Sequence, residues 1–463
     1  MRDRGQLSVS SLFSRVSRIY VIGICFLAPL TAVKVADIQP VEVFSFLALL
    51  GSLVFLFRSD VSARVPHDVL AVMRRYGVFF VLVVGLALWN LRLPSFPLRD
   101  LGVLKTAPYL SLARLVQLTM AAAALVLVAV VIARRPGGLL LATQCYVYAG
   151  VISSAYAIVS WFALLGGVEL GGAYFVDFTR ASGTFGEGGP FGVYLVSVLL
   201  VCIFRRFELR RGIGEFWYEA AILGLAFLLS SSKAGMLLAI TLLLYYAVLR
   251  RKVRYLLVFS LLIVPAMLAS NTIGGLQGYA QSYANFDERA RESPDDVNLV
   301  MGRSMGLILV PIMVLAHPVT GVGLGNYSLQ RNNPDYLGSV LPEAVEWDLP
   351  GLGLLGYVAE LGIPLFLFLC WLLWRPVSLL RRSHASALSC VLGAYQILAH
   401  LFGVQLNFAY PWIVSGMALG YSIYLKDNNL GRDWDSVPDP GIQEQQINEE
   451  PTAGPDASGL GIG

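Results

Sequence analysis

Charge is what this sequence has least of. Of its 463 residues only 14% are Asp, Glu, Lys or Arg, 56% are hydrophobic, and the mean hydropathy is +0.67. A soluble domain carries about 25% charged residues, so a water-soluble globular protein is excluded and a polytopic membrane protein is implied. Cysteine is scarce as well. Cys25, Cys145, Cys202, Cys370 and Cys390 are scattered through apolar stretches, which gives neither a disulfide framework nor a metal-ligand spacing. Histidine is scarcer still, with His67, His317, His384 and His400 alone. No metal site and no cofactor follows from such a set. The net charge of +4 suits loops facing anionic lipid and gives no footprint for nucleic acid.

What the chain has instead is one apolar run after another. Crossing a bilayer takes about 17–25 residues. Runs near that length lie at 18–36, 41–57, 77–91, 110–133, 138–165, 190–204, 214–230, 234–249, 255–270, 352–374, 386–404 and 409–425. They predict an all-α fold of about 12 transmembrane helices, with 190–204 short and 77–91 and 234–249 marginal. With the N-terminus in the cytoplasm, alternation gathers roughly two thirds of the basic residues on the inside. Arg74, Arg75, Arg134, Arg135, Arg205, Arg206, Arg250, Arg375 and Arg382 are among them. Both termini are therefore expected in the cytoplasm. No small-x-small cleavage site follows the first apolar segment, which reads as a retained helix.

Two stretches break this pattern. From 426 to 463 the chain is polar, acidic and rich in Pro and Gly, the composition of a disordered tail. The membrane domain is therefore 1–425. The other break is 271–351, the longest loop, which alternation places outside. Within it Ser293, Pro294, Asp295 and Asp296 fit a helix start, with Ser293 as N-cap. The expected helix runs to Ala316, carries Arg303 near its middle and Pro311 further on, and lies at the membrane interface or dips into the protein. "HPVTGVGLGNY" follows at 317–327, where Gly321, Gly323 and Gly325 let the backbone turn sharply and pass close to a neighbour. A dinucleotide loop is not implied, since the preceding strand and the third fingerprint glycine are missing.

Taken with "LLGYVAELGIPLFLFL" downstream, "RASGTFGEGGPFGVYL" from Arg180 and "SSSKAGMLL" from Ser230, this turn resembles the signature region of the O-antigen ligase and polymerase family of bacterial envelope enzymes. The order of the four stretches agrees over about residues 140–425. The resemblance implies a metal-independent glycosyltransferase of the bacterial cytoplasmic membrane, without cofactor, acting at the outer face on an undecaprenyl-diphosphate-linked glycan. Other polysaccharide-assembly proteins are its implied partners, alongside membrane lipid. A diphosphate leaving group needs cations at the surface, and Arg suits it by its planar fork. Arg180, Lys233 and Arg303 are the outward candidates, Lys233 standing where the family usually has Arg.

One departure decides the sub-function. Ligases of the family carry a histidine before the span, at the position of Gly351 here. Polymerases vary there, so polymerisation of lipid-linked repeat units is the expected activity. Ligation to lipid A core or another acceptor is the alternative, and transport of the lipid-linked oligosaccharide is the alternative of another class. A general base for the acceptor hydroxyl would then be a carboxylate. Glu346 and Asp348 are nearest in sequence, with the bland reading of loop acids capping the next helix. Glu187 follows Arg180 and either orients it or serves as base. Glu360, about two turns into its span, needs a partner such as Arg303 or Arg180 and is, like Glu187, a candidate orienting group or base. Gln396 and His400 share a helix face at i, i+4 and are read as interhelical hydrogen-bonding groups.

Overall fold

A computed structural model describes residues 3–33, 39–56, 66–96, 106–134, 137–168, 170, 180–209, 213–251, 302–338, 341–344 and 349–428. Among the described residues every regular element is helical. In chain order they are α1 (Asp3–Leu27), α2 (Pro40–Leu56), α3 (His67–Asn90), α4 (Ala107–Arg134), α5 (Gly138–Leu165), α6 (Gly188–Phe207), α7 (Ile213–Ser230) and α8 (Lys233–Arg250). Then come α9 (Arg303–Ala316), the short α10 (Tyr327–Gln330) and α11 (Pro334–Leu337), a 3-10 turn (Gly353–Gly356), α12 (Tyr357–Arg382), α13 (Ala387–Leu401) and α14 (Ala409–Asp427). Among the described residues six stretches are long and apolar enough to span a membrane: α3, α4, α5, α6, α8 and Gly353–Arg382. The protein is an all-helical membrane protein. The expected span over 255–270 and the disordered tail lie outside the described residues, apart from the first few positions of the tail.

Segments that look marginal in the sequence gain length from residues that hydropathy discounts. The run at 190–204 becomes the 20-residue α6, which recruits Gly188 and Gly189 at one end and Arg205 and Arg206 at the other. The run at 77–91 becomes the 24-residue α3 by taking in His67, Asp68, Arg74 and Arg75. Basic residues within about two turns of a helix end still fit a spanning helix because their long stems reach back to the interface.

The centre of the bundle is α14. Every residue from Ala409 to Ile423 is buried, so this helix is apolar all round, as a fully enclosed helix must be. Its partner is α4. Gly416 and Gly420, four apart, let the two backbones meet: a Cβ at Gly416 would lie 2.6 Å from the Leu125 carbonyl oxygen, and one at Gly420 would lie 3.0 Å from that of Ala129. Small residues on α4, Ala121 to Ala124, are buried in the same region. Close approach of this kind is how helices associate where no water drives them together. One core gathers α1, α5, α6, α7, α8 and α13 around the spine, and a second gathers α3 and α12.

Contacts define two ends. At one, Glu208 after α6 accepts from Ser386 before α13, Arg381 donates to Tyr245 and Lys426 pairs with Asp68. Arg75, Arg134, Arg205, Arg250 and Arg375 belong to this basic end by their helix directions. A buried ion pair between Arg205 and Glu219, 3.1 Å apart, pins α6 to α7 there, and Cys202 donates to the same carboxylate. At the other end lies the glycine turn.

Candidate active site

The turn at 317–325 forms a clip over a break in α12. Gly362 has φ +71° and ψ 165°, which interrupts the helix. A helix broken there leaves amides and carbonyls without intrahelical partners. The turn supplies them. Val322 N–H donates to the Ala359 carbonyl at 2.8 Å, Gly323 N–H to that of Glu360 at 2.9 Å, and Ile363 N–H to that of Pro318 at 2.8 Å. Strand-like pairing so close leaves no room for side chains. A Cβ at Gly321 would sit 2.4 Å from the Glu360 carbonyl oxygen, and Gly321, Gly323 and Gly325 all have positive φ. The clip is held from behind by α3 and α4, since Asn90 donates to the Thr320 carbonyl and Ser111 to that of Leu324.

Glu360 occupies the centre of the clip. It is buried, and its carboxylate accepts the Gly325 N–H at 2.9 Å, with the Tyr327 amide and the charge of Arg114 also acting on it. The sequence reading pairs Glu360 with Arg303 or Arg180. The carboxylate instead accepts from the backbone of the turn, at the Gly325 N–H, because the positive φ of the turn glycines carries that N–H back over the break in α12. Arg114 escapes the sequence reading altogether. The signal for it is an arginine two turns inside an apolar helix, far from the basic end of that helix, where an ionisable group calls for a partner.

The stretch after the clip folds back onto the α3–α4 connection. Gln330 donates to the Pro94 carbonyl and Phe96 N–H to that of Leu329. Arg331 is fully buried and donates to the Pro342 carbonyl. The described part of this stretch is thus folded, built on α10 and α11 and fastened to the α3–α4 connection.

The chain segments that carry Arg180 and Lys233 adjoin. The Ala181 N–H donates to the Leu229 carbonyl, and a Cβ at Gly188 would lie 3.0 Å from the Ser230 carbonyl oxygen and 3.2 Å from Arg180 Cβ. Ser232 fastens the arrangement. It caps α8 by accepting the Gly235 N–H at 3.0 Å and donates to the Gly189 carbonyl at 2.8 Å. Gly192 is needed because a Cβ there would fall 2.1 Å from that of Ser232. The N-termini of α6 and α8 therefore adjoin, with half-buried Arg180 and Lys233 beside them. Two helix N-termini and two cations make a region that favours an anion. Ser232→Ala removes both bonds, and a loss of about 1–2 kcal/mol is the expected result in thermal unfolding of the purified protein. An unchanged melting temperature would remove Ser232 from this role.

Arg303 is placed differently from its expected position. Gly302 has φ +72° and precedes the helix, so α9 begins at Arg303 and the arginine is an exposed first residue, not a mid-helix charge. The expected start at Ser293 lies outside the described residues. Arg303 leans over Gly351 and toward Gly403: a Cβ at Gly403 would lie 3.7 Å from one of its guanidinium nitrogens. From Gly403 the 402–410 connection runs to Tyr410, which donates to the Pro190 carbonyl at the start of α6. That connection links the Arg303 region with the region of Arg180 and Lys233. Glu187 is the exposed N-cap residue of α6 and makes no side-chain cap. Glu346 and Asp348 lie outside the described residues.

Among the described residues Gln396 and His400 form no interhelical hydrogen bond. Both are fully buried. His400 Nδ1 meets the Val404 carbonyl at 3.0 Å, a contact local to the end of α13, while its Nε2 and both amide atoms of Gln396 have no partner among the described residues. Trp412 explains part of this, standing 6.0 Å from the imidazole and giving its own N–H to Leu406. Among the described residues no group of acidic, cysteine and histidine side chains is arranged to hold a metal.

No protein-family model matches this sequence, and no curated protein matches it. The family resemblance rests on the four motif stretches.

Proposed function

We propose that this protein is a glycosyltransferase of the bacterial cytoplasmic membrane that polymerises undecaprenyl-diphosphate-linked oligosaccharide repeat units at the outer face. The observation that carries the proposal is the meeting of Arg180 and Lys233 with the N-termini of α6 and α8. A diphosphate is the ligand such a site suits, since fixed N–H dipoles and a guanidinium fork both favour phosphate oxygens. Arg303, at the far end of the 402–410 connection, adds a third cation to the same end. In this reading the basic end faces the cytoplasm with both termini, and about 12 helices span the bilayer.

The reaction is a displacement at the anomeric carbon of the donor glycan. An acceptor hydroxyl oxygen forms the new glycosidic bond, the bond from that carbon to the diphosphate oxygen breaks, and undecaprenyl diphosphate leaves with the electron pair. The hydroxyl proton passes to a carboxylate, for which Glu346, Asp348 and Glu187 are the candidates. Glu360 is not among them, because the turn amides already engage its carboxylate. Its role is to hold the clip.

Deletion of the gene tests the reading. Loss of a polymerase leaves single repeat units on their final acceptor, visible as one short glycolipid band on electrophoresis. Long chains stranded on undecaprenyl diphosphate would reassign the protein as a ligase, and an unchanged ladder would end the proposal.

A further inference from the structure

The basic end carries more positive charge than its described acids answer. On Arg375, in the last third of α12, act the charges of Arg75, Arg382 and one carboxylate, that of Asp68. Asp68 is already engaged, as Lys426 Nζ donates to it at 2.9 Å. Arg375 donates to the Ser378 hydroxyl on its own helix at 3.2 Å. Its Nε and the Nη1 of Arg75 are shut in with no acceptor among the described residues. Two free arginines would splay into water. These are held: the Arg75 guanidinium lies 5.2 Å from the Trp371 ring centroid, and Phe79 packs edge-on against Phe368 at 5.9 Å, fixing α3 against α12. Half-buried like charges short of acceptors are costly, and a shared anion reverses the sign of that cost.

The surroundings say which anion. Ile363, Leu367 and Trp371 are exposed and spaced by four on α12, and the next step of that row is Arg375. On α3, Val78 and Leu82 are exposed on the face that begins at Arg75. An apolar stripe roughly 18 Å long, at about 1.5 Å per residue, thus ends in a guanidinium, with a second stripe beside it. A soluble phosphate has no use for the stripes. A phospholipid needs both parts, acyl chains along apolar side chains and a phosphate accepting from arginine forks.

We propose that Arg75 and Arg375 bind the phosphate of an anionic phospholipid whose acyl chains lie along the exposed faces of α3 and α12. Purified protein, delipidated in detergent, is to be titrated with phosphatidylglycerol and with phosphatidylcholine of identical chains, and binding read by native mass spectrometry. Phosphatidylglycerol should bind with clear preference. The Arg75→Gln/Arg375→Gln double variant should lose that preference by about tenfold or more, since a charge-assisted hydrogen bond contributes about 1.5–3 kcal/mol. Arg15→Gln/Arg18→Gln, which removes two exposed charges from α1, should retain it. Equal binding of the two lipids, or equal loss in the two double variants, overturns the site. Should the glutamine pair fail to fold, Arg75→Lys/Arg375→Lys keeps both charges and loses both forks, so an undiminished preference there also overturns it. Inorganic phosphate at millimolar concentration that displaces phosphatidylglycerol completely would show a soluble-anion site and overturn the assignment to lipid.

Discussion

Gly321→Ala should leave little folded protein. The new Cβ would lie 2.4 Å from the carbonyl oxygen of Glu360 and 2.5 Å from the amide nitrogen of Gly362. Both are backbone atoms held in the clip, so neither can rotate aside. The residue also has φ +59°, a conformation that costs a non-glycine residue about 1–3 kcal/mol, and overpacking adds roughly 1–3 kcal/mol. Together these approach the lower part of the 5–15 kcal/mol, roughly, that holds a domain folded. Gly85→Ala is the control. It lies in the last third of α3, and the space its new methyl group would enter is open to 4 Å, so stability should be unchanged or higher by up to about 1 kcal/mol. Size-exclusion profiles and thermal unfolding of the detergent-solubilised variants separate the two. Equal melting of Gly321→Ala and wild type would refute the clip as described.

Arg180→Ala should stop chain growth while the amount of protein in the membrane stays normal. Removing a group that stabilises charge on a leaving diphosphate costs about 10²–10³ in rate, which electrophoresis would show as collapse of the ladder to its shortest band. Arg180→Lys keeps the charge and loses the fork, so partial recovery is expected. Lys233→Arg restores the residue that the resembling family usually carries and should support chain growth at least as well as wild type. Full-length polymer in a strain carrying stable Arg180→Ala protein would remove this arginine from the site.

The helical class is legible in the sequence because lipid allows so few other solutions: backbone groups in hydrocarbon need internal partners, and apolar length marks the six described stretches long enough to span, not the expected twelve. The glycine turn was legible for a related reason, since three glycines at alternate positions announce positive φ and close approach. What remained hidden were pairings made across the chain. Glu360 meets Gly325, thirty-five positions away, and nothing local to either announces the other. Arg303 was misjudged because its neighbours are apolar, whereas the positive φ of Gly302 starts the helix at that residue and turns its side chain outward. Gln396 and His400 share a face as their spacing says. Spacing does not say what the opposite helix presents, and there it is the ring of Trp412.

The central position of α14 bears on the order in which the protein can be assembled. It is the last helix in the chain among the described residues, yet it contributes to both large cores and fills the space against α4. Helices inserted earlier during synthesis therefore enclose a gap that only the final segment can close. Until the ribosome has released it, α4 lacks the glycines that pack against Leu125, Val128, Ala129 and Ile132, and neither core is whole. A nascent chain stalled before residue 409 would hold its earlier helices in the membrane with both cores incomplete, which separates their insertion from folding in time.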